Sequence, residues 1–286
     1  FICADDKRRI GLFTMVVFVD MLTQVMIPLH AKLERLETTP GGNDGIPALN
    51  RYVEQLRTAV KSGLVVIEAA TGSGKSKVVP KIVQEALGKP LLCLVTSTVD
   101  VIDMFKAVEN TSHYRMGGER RGGVPYEEAR IVFATVGLVY RWYAQSGSMF
   151  LGDFGSVLFD EIGDMEHDPC YALLWEVAMQ YKEANKARLS FCLVGASAAI
   201  APRMRSYFVR IRAEMITCAE RPFPVDNFVL QLPTSIGIWQ DISCVAASLF
   251  RENQVTLVFL PGKFEIDTVK EALGNADIPV EGIFSI

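Results

Sequence analysis

Short, continuously apolar runs recur along the chain from residue 46 onward. Five of these runs have the length of a β-strand: LVVIEA (64–69), LLCLVT (91–96), RIVFAT (130–135), SVLFDE (156–161) and LSFCLVGA (189–196). The segments between them are long enough to hold helices. Apolar runs without alternating polar positions are typical of strands covered on both faces, which occur mainly in parallel sheets. The pattern therefore predicts an α/β fold with a parallel sheet flanked by helices.

Flanking segments indicate how the chain is divided. ALNRYVEQLRTAV, after Pro47, has helical spacing and predicts a helix at the start of the α/β domain. The Pro-containing stretch ERPFPVDNF (220–228) precedes another apolar run, VTLVFL (255–260), and a helical pattern, KFEIDTVKEAL. We therefore predict three parts: an N-terminal apolar segment and linker over 1–45, an α/β domain over 46–224, and the beginning of a second α/β domain over 225–286.

The first part contains an apolar stretch, Ile10–Leu29, that follows a basic cluster. Its length would just span a bilayer, but Asp20 near its centre costs about 2.5–3.5 kcal/mol on insertion scales. A buried helix or an interaction segment is therefore favoured over membrane association through residues 10–29. ETTPGGNDG (37–45) is rich in turn formers and is predicted to be a linker. The start at Phe1 rather than Met suggests a fragment or a processed product.

Composition restricts the class of protein. The 286 residues carry a formal net charge of −4, which argues against a protein that coats nucleic acid through overall positive charge. Six cysteines without CxxC spacing and three isolated histidines indicate neither a zinc site nor a disulfide framework. A reducing intracellular compartment, the cytoplasm or the nucleus, is the expected location.

The sequence AATGSGKS directly follows the core of the first apolar run. Gly74, Lys75 and Ser76 match the end of the pattern G-x-x-x-x-G-K-[ST], with Ala69 at the first position. In this pattern the glycines let backbone N–H groups surround a phosphate at a helix N-terminus. Lys75 would reach the β- and γ-phosphates, and the Ser76 hydroxyl would bind Mg²⁺. The predicted nucleotide-binding loop comprises Ala69, Ala70, Thr71, Gly72, Ser73, Gly74, Lys75 and Ser76.

A pair of carboxylates, Asp160 and Glu161, ends the run SVLFDE. Because the carboxyl ends of parallel strands share one edge of the sheet, both side chains can approach a nucleotide in the loop. Asp160 would hold Mg²⁺ together with Ser76, and Glu161 would polarise the attacking water. Lys75, Asp160 and Glu161 are therefore the predicted catalytic residues. A DE pair also follows apolar strands by chance, and the accompanying loop favours the functional interpretation.

The order of further motifs resembles the superfamily 2 helicases of the DExH/DEAH type, including DEAH-box and viral RNA helicases. The motifs are AATGSGKS, LVTSTVDVIDMF (94–105) at motif Ia, IVFATVGLVYRW (131–142) at T-x-G-x-L, DEIG, GASAA (195–199) at motif III, ERPFPVDNF, and LVFLPGKFEID (257–267). The resemblance covers about residues 46–286. It implies a RecA-like P-loop NTPase domain, the beginning of a second such domain, ATP and Mg²⁺ as cofactors, and an ATP-dependent RNA helicase.

The chain departs from that family at two positions. Gly163 stands where the family has His or Asp, and Ala199 replaces the Thr of Ser-Ala-Thr. The resemblance implies that Gly163, Ser197, Ala198 and Ala199 belong to the layer that couples hydrolysis to the second domain. The two changes either compensate each other or loosen that coupling. Elements corresponding to motifs V and VI are absent from these residues, so we expect this stretch to bind ATP but to hydrolyse it weakly alone.

The resemblance also indicates where nucleic acid would lie. Thr96, Ser97 and Thr98 in motif Ia, and Thr135 and Gly137 in T-x-G-x-L, would contact the phosphate backbone. Alternatively, Thr96, Ser97 and Thr98 are turn or helix-cap residues with a purely structural role. RNA is the expected partner by family, although nothing in these residues selects the 2′-OH.

Three functional hypotheses remain at this stage. The first is the helicase, and the second is a P-loop ATPase that clamps or moves along nucleic acid without separating strands, which Gly163 and Ala199 favour. The third is a non-catalytic scaffold, against which the intact Lys75, Ser76 and carboxylate pair argue.

Overall fold

The computed structural model describes residues 14–16, 32–39, 48–106, 112–115, 121–187, 190–220, 225–231, 258, 260 and 263–274. The chain divides into two compact units. The larger covers Gly42–Phe223, and the smaller combines Phe1–Gly41 with Pro224–Ile286.

Strands and helices alternate through most of the described chain. The strands are β1 (Thr14–Val16), β2 (Lys32–Thr39), β3 (Leu64–Ala69), β4 (Leu91–Val95), β5 (Ser112–Arg115), β6 (Arg121–Gly123), β7 (Ile131–Thr135), β8 (Ser156–Asp160), β9 (Cys192–Ser197), β10 (Glu214–Cys218) and β11 (Val225–Gln231). The helices are α1 (Val53–Ala59), α2 (Lys75–Leu87), α3 (Thr98–Lys106), α4 (Val136–Ser146), α5 (Pro169–Asn185), α6 (Pro202–Arg210) and α7 (Lys263–Gly274).

An eight-stranded sheet in the order β10-β3-β9-β8-β4-β7-β5-β6 forms the centre of the larger unit. Neighbouring strands from β10 through β5 are parallel, and β6 is antiparallel to β5. The five predicted apolar runs form β3, β4, β7, β8 and β9. The predicted α/β class, a parallel sheet flanked by helices, is confirmed.

Both faces of the sheet are covered by helices. On one face Ile67 of β3 shares a buried cluster with residues of α1, α2 and α3. On the other face Phe159, Trp175 and Phe208 join β8, α5 and α6, with ring centroids 5.1 and 5.7 Å apart. Close-packed aromatic contacts of this kind hold the end of β8 in a fixed position relative to the helices.

The sheet also contains strands that the sequence patterns did not predict. β10 lies at one edge and mixes exposed and buried residues, with Glu214 and Thr217 exposed and Ile216 and Cys218 buried. An edge strand that is solvated on one side lacks a continuous apolar run, which is the signal that identified the inner strands. The predicted first helix begins as a 3-10 turn, Ala48–Tyr52, and continues as α1.

In the smaller unit β11 lies between β1 and β2 and is antiparallel to both. The prediction of a buried helix over residues 10–29 is wrong for Thr14–Val16, which form a strand; the rest of that stretch lies outside the described residues. The predicted linker at 37–45 begins later, because Glu37–Thr39 complete β2. Within the described residues, no helix combines the length and hydrophobicity that crossing a bilayer requires.

The segment after β11 is described only in part. KFEIDTVKEAL forms α7, as its pattern predicted. Of the apolar run VTLVFL, only Val258 and Leu260 are described, so the strand predicted there lies outside the described residues. The sequence analysis separated residues 1–45 from residues 225–286. The structure groups most of these residues into one unit, through the pairing of β1 and β2 with β11.

Helix α5 offers a test of how the larger unit is held together. Asp168 caps its N-terminus, with one carboxylate oxygen accepting from the amides of Cys170 at 2.8 Å and Tyr171 at 3.2 Å. We expect Asp168→Ala to lower the free energy of unfolding by about 1 kcal/mol in urea denaturation, because the cap is lost. Asp168→Asn retains an accepting oxygen and should stay within a few tenths of a kcal/mol of wild type. Equal losses in both variants would contradict this role.

Candidate functional site

The loop between β3 and α2 has an unusual backbone at two glycines. Gly72 and Gly74 have φ angles of 82° and 92°, in the left-handed region that favours glycine. Gly74 precedes the first residue of α2, and no side chain caps this helix N-terminus. Uncapped amides at a helix N-terminus attract anions through their N–H groups and the helix dipole. The loop therefore has the backbone of an anion-binding cradle.

Neighbouring elements hold this loop through its backbone. The amide of Ala70 donates to the carbonyl of Cys218 at the end of β10, at 3.1 Å. On the other side of the loop, the amide of Leu49 donates to the carbonyl of Ser73 at 3.3 Å. These contacts use no particular side chain, so no sequence motif could have indicated them.

Lys75 turns back into the loop. Its side chain is only 6% exposed, and its ammonium donates to the carbonyl of Ala69 at 2.9 Å. The same nitrogen lies 3.9 Å from Oε1 of Glu161. A lysine ammonium has three donors, so this arrangement can also serve an anion held by the loop amides.

Asp160 connects β8 to the loop. Its Oδ2 accepts a hydrogen bond from the Ser76 hydroxyl at 3.1 Å, although the two residues are far apart in the chain. Burial, reinforced by the neighbouring Glu161, raises the pKa of Asp160 to about 6, whereas Ser76 and Lys75 oppose the increase. The environment therefore disfavours a bare negative charge at the position where the sheet ends.

Two polar atoms of the loop and the strand end are buried and have no hydrogen-bond partner: the hydroxyl of Ser73 and Oδ1 of Asp160. Native structures rarely leave such groups unsatisfied, and each calls for a partner. The Asp160 carboxylate beside the Ser76 hydroxyl is a donor set that suits a hard divalent cation such as Mg²⁺. The residues present thus fit a cation bound by Asp160 and Ser76, although no cluster of three or more His, Cys, Asp or Glu ligands occurs among the described residues.

The turn after Asp160 is strained and firmly held. Glu161 has φ 54° and ψ 52°, a left-handed conformation that costs a non-glycine residue on the order of 1–3 kcal/mol. The fully buried Tyr171 donates its hydroxyl proton to the carbonyl of Asp160. The equally buried Ile162 packs over Gly195, where a Cβ would come within 3.1 Å of the isoleucine side chain. These contacts fix the direction of both carboxylates, and Tyr171 belongs to no motif that the sequence analysis used.

The four predicted coupling residues lie together beside this turn. The Ser197 hydroxyl is 3.2 Å from Oε2 of Glu161 and 3.0 Å from the carbonyl of Ala199. A Cβ on Gly163 would lie 3.0 Å from the same hydroxyl and 3.3 Å from that carbonyl. Ala198, between them, is half-buried. Glycine at position 163 is therefore matched to the tight approach of the segment after β9.

The predicted nucleic-acid residues occupy the ends of two adjacent strands. Thr96 follows β4 and Thr135 ends β7, and these strands pair with Val95 opposite Thr135. Thr98 and Gly137 are exposed, and open space surrounds the position of a Cβ on Gly137.

Ser97 has a local structural role. Its hydroxyl accepts from the amide of Asp100 at 3.1 Å and lies 2.5 Å from the Asp100 carboxylate. This is the geometry of a cap at the start of α3. The cap interpretation left open for motif Ia therefore accounts for the Ser97 side chain, while Thr96 and Thr98 stay exposed.

The effect of the buried Asp160 charge on stability can be tested by urea denaturation at different pH values. The pKa is raised from 3.8 to about 6, so ionisation destabilises the ligand-free fold as the pH rises through that range. A shift of about two units corresponds to about 3 kcal/mol at neutral pH. In EDTA, Asp160→Asn should resist urea better than wild type at pH 7, and this advantage should shrink as the pH falls toward 4.

Glu166→Gln removes an exposed carboxylate near the same turn and is the matched control. It should show no comparable pH-dependent gain in urea denaturation. An advantage of Asp160→Asn that is equal at both pH values would show that the charge is not its cause.

A double-mutant cycle tests the packing at position 163. Gly163→Ala places a Cβ against the Ser197 hydroxyl, so overpacking should lower the free energy of unfolding by about 1 kcal/mol. In a Ser197→Ala background the hydroxyl is gone, and the same change should cost about 1 kcal/mol less. Additive losses in chemical denaturation would refute the predicted contact.

Comparisons with known proteins bear on the fold. No family model matches the chain. Among solved structures, it is similar to the DEAH/RHA helicase HrpB of Escherichia coli, with a TM-score of 0.65 and 20% identity over 80% of this chain and 30% of that one. It is also similar to a structure described as the E. coli DExH-box NTPase HrpB, with a TM-score of 0.60 and 21% identity over 82% of this chain and 29% of that one.

The chain thus spans about 30% of the length of the helicase chains it matches. At this identity the similarity concerns the fold, and it agrees with the resemblance found in the sequence. The chain contains an α/β domain with a RecA-like fold, similar to the fold in these two structures.

Proposed function

We propose that this chain carries the ATP-binding half of an ATP-dependent RNA helicase of the DExH/DEAH type. The observation that supports it best is the contact between Ser76 and Asp160, with the second carboxylate oxygen of Asp160 buried and unpartnered. A hydroxyl from the loop after β3 and a carboxylate from the end of β8, two strands away in the sheet, meet there, as a Mg²⁺-nucleotide requires. In this proposal residues 46–224 form the first motor domain and residues 225–286 begin the second.

The loop Ala69–Ser76 binds the triphosphate. The amides after Gly72 surround the β-phosphate, and the Lys75 ammonium exchanges its contact with the Ala69 carbonyl for phosphate oxygens. Because Lys75 is already buried and directed into the loop, little side-chain entropy is lost on binding.

Asp160 and Ser76 would hold Mg²⁺, which would supply positive charge to stabilise the negative charge of the triphosphate. Because burial disfavours the ionised form of Asp160, cation binding there should make the protein more stable. Glu161 orients the attacking water and accepts its proton. Its position is set by the strained turn that Tyr171 and Ile162 support.

Single-stranded RNA crosses the same sheet edge. Thr96 and Thr98 after β4, and Thr135 and Gly137 after β7, contact its phosphates without reading bases. The pairing of β4 with β7 on one side and β8 on the other places these strand ends in line with Asp160. Gly163, Ser197, Ala198 and Ala199 connect the hydrolytic carboxylates to the rest of the motor.

A second candidate is an ATPase that clamps or moves along nucleic acid without unwinding it. The absence of a side chain at position 163, and the lack of room for one, favour this function. In that case the protein hydrolyses ATP in response to RNA, but hydrolysis is coupled less tightly to strand separation.

Nucleotide binding tests the site directly. Wild type should bind Mg·ATP in titration calorimetry, and Lys75→Ala should weaken binding about 10- to 100-fold, because a charged hydrogen-bond donor is worth about 1.5–3 kcal/mol. Lys81→Ala removes an exposed lysine from the same helix and should bind like wild type. Equal affinity for all three proteins would eliminate the loop as the binding site.

Strand displacement on a 3′-tailed RNA duplex, measured with a protein that contains this chain and both complete motor domains, then distinguishes the two candidates. ATP-dependent displacement supports the helicase. RNA-stimulated hydrolysis without displacement supports the clamp, and a matched DNA duplex shows whether the 2′-OH matters.

A further inference from the structure

A carboxylate stands at an unexpected place in β3. Glu68 is the residue just before Ala69, where the phosphate loop begins, and it pairs in register with Ser197 of β9. Its side chain is 16% exposed in a strand whose other residues are buried and apolar. A buried charge is unfavourable unless it is paired and hydrogen-bonded.

Glu68 has two partners, both in the segment after β9. Its Oε1 accepts from the amide of Ile200 at 3.0 Å, and its Oε2 forms an ion pair with Arg205 on α6. Glu68 is 16% exposed and Arg205 is 42% exposed, so the ion pair is partly solvated and contributes little to stability by itself. A role in holding one particular backbone arrangement explains it better.

The backbone concerned is a single peptide unit. The amide of Ile200 and the carbonyl of Ala199 belong to the same planar group, so they can only rotate together. Glu68 holds the amide side of this group, while the carbonyl side accepts from the Ser197 hydroxyl at 3.0 Å. Holding the Ile200 amide in place therefore also holds in place the Ala199 carbonyl, which accepts from the Ser197 hydroxyl.

Ser197 has a second acceptor, Oε2 of Glu161, at 3.2 Å. A hydroxyl has one proton, so the carbonyl of Ala199 and the carboxylate of Glu161 compete for it. The orientation of the peptide group between Ala199 and Ile200 therefore determines which of the two oxygens accepts the hydrogen bond from Ser197. Position 163 is a glycine and contributes no side chain to the contact with Glu161. Among the described residues of the segment that follows β9, Ser197 supplies the side chain that hydrogen-bonds Glu161.

We propose that Glu68, held by Arg205, is a positioning residue that orients the 199–200 peptide and thereby sets the hydrogen bonding of Glu161 through Ser197. The inference rests on the proposed function, in which Glu161 orients the attacking water. It links the strand that bears the phosphate loop to α6, so a displacement of α6 reaches Glu161 without involving position 163.

The test uses Arg205→Gln, which removes the charged partner of Glu68 by changing a side chain that is itself 42% exposed. Mg·ATP affinity should stay within about twofold of wild type, while single-turnover hydrolysis falls about tenfold, as expected when a catalytic group is slightly misplaced. Arg203→Gln removes the same charge from an exposed position on the same helix and should behave like wild type. Arg205→Lys keeps the charge and should recover part of the rate.

Two further measurements separate positioning from a purely structural role. In a Ser197→Ala background, Arg205→Gln should change the rate by less than about twofold, because the path through Ser197 is already cut. Hydrogen exchange at the Ile200 amide should accelerate about tenfold in Arg205→Gln, whereas amides inside β3 keep wild-type protection.

The outcomes are distinct. If wild type hydrolyses ATP but Arg205→Gln matches it, or if the two changes reduce the rate independently, the positioning role is overturned while the proposed function stands. Unchanged exchange at Ile200 overturns it as well. If wild type itself neither binds nor hydrolyses Mg·ATP, the proposed function fails and this inference fails with it.

Discussion

The site depends on one buried carboxylate. Asp160 ends a central strand, bonds to Ser76 of the loop that follows β3, and retains a second oxygen without a partner. Burial raises its pKa to about 6, so at neutral pH Asp160 carries its negative charge in an environment that disfavours it. Tyr171 and the aromatic contacts of Phe159 and Trp175 keep β8 in place despite this penalty. Functional sites commonly lower the free energy of unfolding in this way, and a bound cation would raise it again.

The order of strands decides which chemical groups meet. β9 lies between β3 and β8, so the phosphate loop, the carboxylate pair and Ser197 open on one edge of the sheet. β4 and β7 continue that edge, and the candidate contacts for nucleic acid follow them. One strand, β9, therefore contacts both the strand that precedes the glycine-rich loop and the strand that ends in the carboxylate pair. Its C-terminal segment contacts Glu68 and packs against Gly163.

Sequence patterns predicted the inner strands because these depend on local features: continuous apolar runs identify strands buried on both faces. The glycines of AATGSGKS likewise indicated a loop whose backbone angles other residues avoid. The same logic did not find β10, which mixes exposed and buried residues, or the strand Thr14–Val16, which lies in a stretch interpreted as a buried helix or an interaction segment. Pairing with β11 determined the conformation of those three residues, and pairing between distant segments has no local signature.

The sequence by itself determined the chemistry available: a lysine and a serine in a glycine-rich loop, a carboxylate pair at a strand end, and a missing side chain at position 163. Only the tertiary structure decided how these groups are used. It placed Ser76 against Asp160, put Tyr171 behind the strained turn, and showed that Gly163 is matched to Ser197. It also brought Glu68 into contact with the amide of Ile200 and with Arg205. The reason is that hydrogen bonds and packing act between residues distant in the chain, which the order of the sheet alone brings together.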